Sequence, residues 1–387
     1  MSKNHRLVPV LMYFLIAFGG IVVDIIVPSL PSIQKAFAST EVLTQWAFTA
    51  AMIGFGVGQF FAGFIVDALG RKKPMLIGGA LLVASLFLTT TVPSIQLVIL
   101  LRVIQGLSVS LVCVGGRAVI KDIYHGEEYL KAVNWITISF AVGITMSPFV
   151  GAYIQDMFGW QMVFEAVGAC VFIGTLLLSV TYKETHTNQQ PIRYTTIKSN
   201  LAEMFSDSRF LRSAIICGVF YSILPAFNTV SPFLVQNQLG YSPVFYGYIA
   251  LFLAACWLLG NSMNIILFRV SAATKTTVSL SASFIATLIS AIYLWLNGLN
   301  LYVFVAPVAV IISSLGMLFP LYLGRALAPF NHIAGVANAT VFSGSWIATA
   351  IISFAASSLP STSAEPLLIM YLVLIVFVLA IKGNVAK

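Results

Sequence analysis

Residues 63–73 read GFIVDALGRKK and lie between two apolar runs, each long enough to cross a lipid bilayer. Within this stretch Asp67 and Gly70 are followed directly by three basic residues, at positions 71–73. A helix in the hydrocarbon core has to end before so many polar groups can be hydrated. The stretch therefore predicts a turn at the membrane surface between two transmembrane helices.

The composition of the whole chain agrees with this prediction. Of the 387 residues, 59% are hydrophobic and 8% are charged, whereas an ordinary soluble domain carries roughly 25% charged residues. The net charge of +8 is spread over short polar segments and forms no single basic, aromatic-rich face of the kind that binds nucleic acid. The chain is therefore predicted to be an integral membrane protein whose surroundings are a lipid bilayer, with no nucleic-acid partner.

A hydropathy window of about 19 residues finds six apolar runs before the longest polar segment and six after it. This pattern predicts an all-α integral membrane fold of 12 transmembrane helices in two six-helix bundles related by pseudo-two-fold symmetry. The predicted domains are an N-terminal bundle (1–182), a cytoplasmic linker (183–209) and a C-terminal bundle (210–387). The runs lie near residues 8–30, 43–66, 74–92, 96–119, 132–154, 161–182, 210–235, 244–268, 277–296, 301–324, 333–357 and 366–382.

The distribution of Lys and Arg predicts the orientation of these spans. Nearly all the basic residues outside the spans fall on the side of the N-terminus, and Lys35 falls on the opposite side. Basic loops are retained in the cytoplasm. Both termini are therefore predicted to be cytoplasmic, in a multi-pass protein of a bacterial-type inner membrane.

Two charged residues lie at matching depth inside the predicted spans. Counted at 1.5 Å per residue, Asp24 lies about 6 Å below the outer edge of the hydrocarbon core, and Arg102 lies about 9 Å below the same edge. A charge at such depth is costly, and pairing makes it tolerable. We interpret the two residues as a proton-coupling pair in which Asp24 gains and loses a proton beside Arg102. The alternative is a static structural ion pair.

Further polar and aromatic residues in the spans are candidates for lining a substrate cavity, although each could instead be a packing residue or an interface anchor. Arg117 and Arg325 lie at cytoplasmic ends of spans, where they could snorkel to the interface or attract an anionic substrate. Glu165 could belong to a proton path or face the outer water. The cavity candidates are Gln45, Trp46, Tyr221, Asn228, Trp257, Trp346, Arg117 and Arg325.

Three motifs in the first half resemble those of the major facilitator superfamily, specifically its Bcr/CflA-type drug:proton antiporters. The surface loop carries Gly63, Asp67, Gly70, Arg71 and Lys72 at the spacing of the first motif. The second motif is Arg102, Gln105 and Gly106, and the third is Gly143, Pro148 and Gly151, with Ser147 and Ala152 where the pattern has glycine. Stretches such as DIIVPSLPSI from Asp24 and ALAPFNHIAG from Ala326 extend the resemblance to both halves.

The resemblance implies roles for the first two motifs. Arg102 is expected to act in proton coupling, and Asp24 in handling the proton or the substrate. In the loop, Gly63 and Gly70 are expected to permit a tight turn, and Asp67 is expected to pair with Arg71 as a latch of the cytoplasmic gate. The matching stretch of the second half, ILFRVSAATKTT from Ile266, carries no acid, so a one-sided latch is expected.

The predicted function is that of a proton-coupled antiporter that exports a small amphipathic compound by alternating access. The alternative is a proton-coupled symporter that imports an anionic metabolite or siderophore, or an exporter of such a compound. An enzyme is not expected, because His5, His125, His186 and His332 lie near loops or span ends without a catalytic set around them. No cofactor or metal is expected, since the proton gradient supplies the driving force. A monomer is expected, with protons and a small molecule as its ligands.

Overall fold

The computed structural model describes residues 4–186 and 194–382, and within them the chain is helical with no β-strand. The predicted all-α class is therefore confirmed. The α-helices of the first half are α1 (Asn4–Asp24), α2 (Leu30–Ala36), α3 (Glu41–Leu69), α4 (Lys72–Thr89), α5 (Ile95–Ile123), α6 (Gly126–Phe158) and α7 (Trp160–Thr181). Those of the second half are α8 (Tyr194–Ser206), α9 (Ser208–Phe233), α10 (Pro243–Ile266), α11 (Ala272–Asn297), α12 (Leu301–Leu327), α13 (Ala334–Ser357) and α14 (Glu365–Ile381).

The long helices coincide with the predicted apolar runs. In the described residues, eleven helical segments are long and apolar enough to cross a bilayer, and α14 is a shorter apolar helix of 17 residues. At 1.5 Å per residue, α14 spans about 25 Å, close to the thickness of a hydrocarbon core. The first segment, Leu7–Ala36, joins α1 to α2 through a short 3-10 turn at Val27–Ser29. The protein is therefore a multi-pass membrane protein.

Some helices extend beyond the predicted runs into polar sequence. Helix α6 begins at Gly126, before the run predicted from residue 132, and it carries Glu127 and Glu128 in its first turn. Acidic side chains at a helix N-terminus interact favourably with the helix dipole, so the helix starts before its apolar part does. The predicted linker 183–209 also contains a helix, α8, while residues 187–193 lie outside the described part of the chain.

The surface turn between α3 and α4 is made by one glycine and not by two. Gly70 follows the last residue of α3 with a φ of 84°, a conformation that L side chains rarely adopt. Gly63 was expected to share this role, and that expectation is wrong, because Gly63 lies inside α3, which continues to Leu69. A Cβ atom added at Gly63 would meet no described atom within 4 Å. Gly63 is thus neither a turn residue nor a close-packing residue.

The chain divides into two compact units, Met1–Tyr194 and Thr195–Lys387. In each unit, the second and fourth spans approach each other closely at glycines. In the first unit, a Cβ at Gly54 of α3 would collide with the Val103 carbonyl of α5, and one at Gly106 would collide with the Ala51 carbonyl. Small residues permit this kind of close packing between transmembrane helices.

The equivalent pair in the second unit is α10 and α12. A Cβ at Gly260 of α10 would collide with the Ser313 carbonyl of α12, and one at Gly316 would collide with the Trp257 carbonyl. The glycine contacts therefore join the second and fourth spans of the first unit and the corresponding spans of the second unit. Two units with matching internal packing are what a pseudo-repeat of six spans predicts.

Candidate proton-coupling and substrate sites

Arg102 is fully buried in the first unit, and its guanidinium is surrounded by oxygen acceptors. Nε donates to the Ala47 carbonyl of α3 at 3.1 Å. Nη1 and Nη2 donate to the carbonyls of Val22 and Val23 at the end of α1, at 2.7 and 3.0 Å. These carbonyls form the negative end of the α1 dipole, which stabilises a cation. The arginine thus ties α5 to both α1 and α3.

Gln105, on the same helix as Arg102, orients the guanidinium of Arg102 through a chain of hydrogen bonds. The side-chain oxygen of Gln105, one turn further along α5, accepts from Arg102 Nη1 at 2.8 Å. The Gln105 amide nitrogen donates to Thr89 Oγ1 at 2.9 Å and to the Ser85 carbonyl at 3.2 Å. Because both ends of the Gln105 amide are engaged, its orientation is fixed by hydrogen bonds. Gln105, singled out as a motif residue, is therefore a positioning residue for Arg102.

Asp24 is the last residue of α1 and directly follows the carbonyls that Arg102 contacts. It is buried, with 6% of its surface exposed, and it interacts electrostatically with Arg102. The ring of Phe164 on α7 lies 6.0 Å from the guanidinium carbon of Arg102. The structure therefore brings the two predicted coupling residues to the same place. Their predicted role in proton coupling remains a prediction.

The glycines of the third motif hold α6 against the part of α1 that carries Asp24. A Cβ at Gly143 would collide with the Ala17 carbonyl, and a Cβ at Gly151 would collide with the carbonyl of Ile25. Pro148 lies between them, inside α6, and is buried. A larger side chain at Gly151 would push α6 away from the residue next to Asp24, so this packing fixes where the carboxylate lies.

The latch motif forms an ion-pair cluster at one end of the first unit. Arg71 Nη1 lies 2.6 Å from Asp67 Oδ1 and also donates to the Val66 carbonyl at 2.9 Å. Arg71 Nε lies 3.2 Å from Oδ2 of Asp122, near the end of α5. The side chain of Asp67 is 62% exposed, but that of Asp122 is 21% exposed. Because water screens the exposed pair more, the Asp122 contact is the stronger candidate for holding Arg71.

Glu184 joins this cluster from the segment after α7. Its two carboxylate oxygens accept from the backbone N–H groups of Arg71 and Lys72, at 3.0 and 2.9 Å. Partial burial alone would raise the pKa of Glu184, but backbone N–H donors from Lys72, His186, Arg71 and Thr185 outweigh it and lower the pKa. A carboxylate on the free N–H groups of a helix N-terminus is favoured by the helix dipole. Glu184 therefore stabilises the start of α4.

Two neighbours of Glu184 complete the cluster. Lys72 Nζ donates to the Ser179 carbonyl of α7 at 2.9 Å, and Thr185 Oγ1 donates to Asp122 Oδ2 at 2.9 Å. The hydroxyl of Tyr182 lies 2.7 Å from Thr185 Oγ1. Burial raises the pKa of Tyr182 to about 12. The loop between α3 and α4 is thus tied to the ends of both α5 and α7. Sequence reasoning missed Asp122 and Glu184, although each lies in a polar stretch beside a predicted span.

The second unit gathers three of the predicted cavity residues around Phe319 of α12. Tyr221 of α9 lies 5.9 Å from Phe319, and Trp257 of α10 lies 6.1 Å from it, measured between ring centroids. Tyr221 is also 5.2 Å from Trp346 of α13, and Phe342 is 6.2 Å from Phe319. We call these five residues the aromatic cluster. Phe319 and Phe342 were missed, because a phenylalanine in an apolar span has no pattern that distinguishes it from a lipid-facing one.

The remaining cavity candidates lie apart from the aromatic cluster or carry charge. Asn228 is buried in α9, where its side-chain oxygen accepts from the hydroxyl of Tyr246 at 3.1 Å. In the first unit, Gln45 is 1% exposed, and neither atom of its amide has a hydrogen-bond partner among the described residues. Its neighbour Trp46 is half-buried. Asn228 therefore fits a structural role, whereas Gln45 remains a candidate contact for a polar ligand group.

Arg117 and Arg325 both lie beside aromatic rings. The guanidinium carbon of Arg117 is 5.5 Å from the Phe140 ring centroid, and that of Arg325 is 5.6 Å from the ring of Tyr322. Both side chains are half-buried. Cation–π contact stabilises a cation at such distances. The rings thus fix both cations near the ends of α5 and α12.

The turn between α10 and α11 matches the latch without its acids. Lys275 is buried, and its Nζ donates to the side-chain oxygen and the carbonyl of Asn264, at 2.8 and 3.0 Å. Asn264 lies two residues before the end of α10, as Asp67 lies two residues before the end of α3. A neutral amide therefore occupies the place of the latch carboxylate, in line with the predicted one-sided latch.

The long apolar helices make this chain a multi-pass membrane protein, and the family that its sequence matches is one of transporters and not of enzymes. The model of the Major Facilitator Superfamily matches residues 11–353, and the chain belongs to that superfamily. The resemblance seen in the three motifs is thereby confirmed. A transporter of this kind takes a small-molecule substrate across a lipid bilayer.

The chain is also similar, over most of its length, to bacterial proteins named for drug resistance. It is 24% identical over 373 residues to Multidrug resistance protein D of Escherichia coli, covering 93% of this chain and 91% of that protein. It is also 24% identical over 355 residues to a bicyclomycin resistance protein homologue of Haemophilus influenzae, covering 89% and 87%. The crystal structure of a D-xylose-proton symporter superimposes with a TM-score of 0.77 at 14% identity, over 99% of this chain and 98% of the symporter. That likeness concerns the fold.

Proposed function

We propose that this transporter is a proton-coupled antiporter that exports a small amphipathic compound across the inner membrane. The observation that carries the proposal is the buried pair of Asp24 and Arg102, held by α1, α3 and α5. Two relatives named for multidrug and bicyclomycin resistance support export of a drug-like compound. A proton on Asp24 would remove the negative charge beside Arg102, and this change would link proton binding to the state of α1.

In the proposed cycle, Asp24 takes up a proton from the outside when the substrate has left, and it releases the proton inside before the next substrate binds. Arg102 favours the ionised carboxylate, while burial favours the neutral acid. Opposing effects of this kind keep a carboxyl group able to change protonation state during transport. The contacts of Arg102 to Val22 and Val23 connect that change to the end of α1.

The aromatic cluster of the second unit is the proposed contact surface for the substrate. Three of its rings, those of Tyr221, Trp257 and Phe342, are half-buried and surround the buried Phe319, so a planar apolar group could pack on these three. Aromatic pairs gain about 0.5 to 1.5 kcal/mol beyond the area that they bury. Such contacts are tolerant of chemical detail, which suits a transporter of several related compounds.

The alternative function, a proton-coupled symporter or exporter of an anionic metabolite or siderophore, rests on Arg325. Its guanidinium lies over Tyr322, on the helix that also carries Phe319. If the substrate is an anion, Arg325→Ala should weaken its binding by roughly tenfold or more, as expected for loss of one charge-assisted hydrogen bond. If the substrate is a neutral or cationic drug, the same change should leave binding within about twofold.

Purified protein in liposomes tests the proposal directly. With an acidic exterior, protons run into the liposomes, so an antiporter should deplete substrate from the interior, whereas a symporter should accumulate substrate there. The proposed inner-membrane location and cytoplasmic termini are checked in cells by membrane fractionation and by labelling single introduced cysteines. The proposed monomeric state is checked by measuring the particle mass of the purified protein. Equal transport with and without a pH gradient would contradict proton coupling.

A further inference from the structure

A shallow groove on the outside of the second unit combines apolar walls with one arginine. It lies between the start of α9 and the end of α14 and has a volume of about 310 Å³. Its lining consists of Arg212, Ile215, Phe377, Ala380 and Ile381. Ile215 and Phe377 are 46% and 44% exposed. Both helices are apolar enough to lie in a bilayer, so these exposed side chains are accessible to lipid.

The charge in this groove is not balanced by an acid of the described chain. The ion pairs among the described residues do not include Arg212. The nearest acid along α9, Asp207, has a side-chain oxygen that accepts from the backbone N–H groups of Arg209 and Phe210 at the helix start. A guanidinium at a membrane edge without a protein carboxylate is suited to a phosphate, which it binds with two parallel hydrogen bonds.

The walls of the groove favour a phospholipid over a small anion. Below the arginine the walls are entirely apolar, which suits acyl chains and offers nothing to a free ion. Basic pockets between transmembrane helices bind lipid headgroups in this manner.

The packing of α9 against α14 limits how far a lipid can enter between these two helices. Further along α9 and α14, a void of about 10 Å³ lies between Val219, Ile375 and their described neighbours. A void of that size holds at most one water. An acyl chain would therefore run along the surface past Ile215 and Phe377 and would not enter the bundle.

We propose that this groove is a binding site for one anionic diacyl phospholipid, with the phosphate on Arg212 and the first part of an acyl chain against Ile215, Phe377 and Ala380. The site is separate from the residues assigned to proton coupling and to substrate. Its occupant would join the first and last spans of the second unit on their lipid-facing side.

Native mass spectrometry of the purified protein in a neutral detergent tests this proposal. The protein is titrated with phosphatidylglycerol, with phosphatidylcholine of the same acyl chains, and with glycerol phosphate. Phosphatidylglycerol should bind about fivefold more tightly than phosphatidylcholine, the preference expected from one basic residue near the headgroup. Glycerol phosphate should not compete with it.

Three variants test whether the preference for phosphatidylglycerol arises at this groove. Arg212→Gln should abolish the preference for phosphatidylglycerol, whereas Arg209→Gln, an exposed cation one turn earlier that does not line the groove, should preserve it. Ala380→Trp fills the groove and keeps every charge, so it should weaken both lipids; it also carries the test if Arg212→Gln does not fold. Equal loss in Arg209→Gln, competition by glycerol phosphate, or unchanged binding in Ala380→Trp would overturn the proposal. Dimers that disappear in Ala380→Trp would assign the groove to a second copy of the chain.

Discussion

Glu184 accepts a hydrogen bond from the backbone N–H of Lys72 at 2.9 Å, although the two residues are 112 positions apart in the sequence. The contact brings the segment that leaves the first unit onto the first turn of α4, beside the latch residues Asp67 and Arg71. Any movement that separates α3, α4 or α5 at this end has either to break the hydrogen bonds of Glu184 or to move Glu184 together with α4. The latch therefore includes residues that lie outside the loop that contains its motif.

Glu184→Gln should lower the midpoint of thermal inactivation. The amide keeps one acceptor oxygen but loses the charge and one acceptor at the N-terminus of α4. A loss of about 1 kcal/mol corresponds to a fall of about 2 to 4 °C. The matched control is Glu203→Gln, which removes the charge from an exposed contact to His332 at 3.0 Å and should have little effect, because exposed pairs contribute little. Equal midpoints for both variants would contradict a special role for Glu184.

The contribution of Glu184 should also depend on pH. Its pKa is lowered in the folded protein, so it contributes stability above the unfolded-state pKa, about 4.3 for a glutamate. That contribution is lost as the pH falls below this value and through the folded-state pKa. Wild type and Glu184→Gln should therefore differ in thermal stability at neutral pH and converge in acid. A difference that grows on acidification would have the wrong sign.

Asp122→Asn should impair transport and stability more than Asp67→Asn. Both carboxylates contact Arg71, at 3.2 and 2.6 Å, but the side chain of Asp122 is 21% exposed and that of Asp67 is 62% exposed. The less exposed contact is screened less, and Asp122 also accepts from Thr185. Asp67→Asn should still free the gate and reduce the transport rate. Wild-type rates in both variants would argue against a latch.

Phe319→Leu should weaken binding of planar aromatic substrates by roughly twofold to tenfold, the value of one aromatic contact. Leucine keeps much of the volume and removes the ring from the centre of the aromatic cluster. Phe304→Leu is the matched control, because Phe304 is a buried ring on the same helix that pairs with Phe227 at 6.0 Å, away from the cluster. Binding is measured by quenching of tryptophan fluorescence. Equal losses of affinity in both variants would show that the effect is general packing.

The sequence predicts the helical spans and the closeness of Asp24 and Arg102 well, for physical reasons. A bilayer demands long apolar helices, so a hydropathy window finds them, and a fixed rise per residue places Asp24 and Arg102 at one depth. The side chains that complete the sites are harder to find. Asp122 and Glu184 meet Arg71 from 51 and 113 residues away, and no local pattern encodes such contacts.

Gly63 and Phe319 show two other limits of prediction from the sequence. Gly63 matches a motif, but only the backbone conformation reveals that Gly70, with its φ of 84°, makes the turn. Phe319 is one of 29 phenylalanines, and its place at the centre of the aromatic cluster depends on how α9, α10, α12 and α13 pack. Motif spacing identifies which residues to inspect, while packing decides what each of them does.

Transport by Asp24→Asn in liposomes tests the central claim most directly. The asparagine keeps the size of the side chain but cannot carry the proton. The variant should bind substrate and remain monodisperse, yet lose the stimulation of transport by a pH gradient. Asp156→Asn, a change to an exposed acid on α6, should keep that stimulation. Full gradient-driven transport by Asp24→Asn would contradict the assignment of Asp24 as the proton-carrying residue.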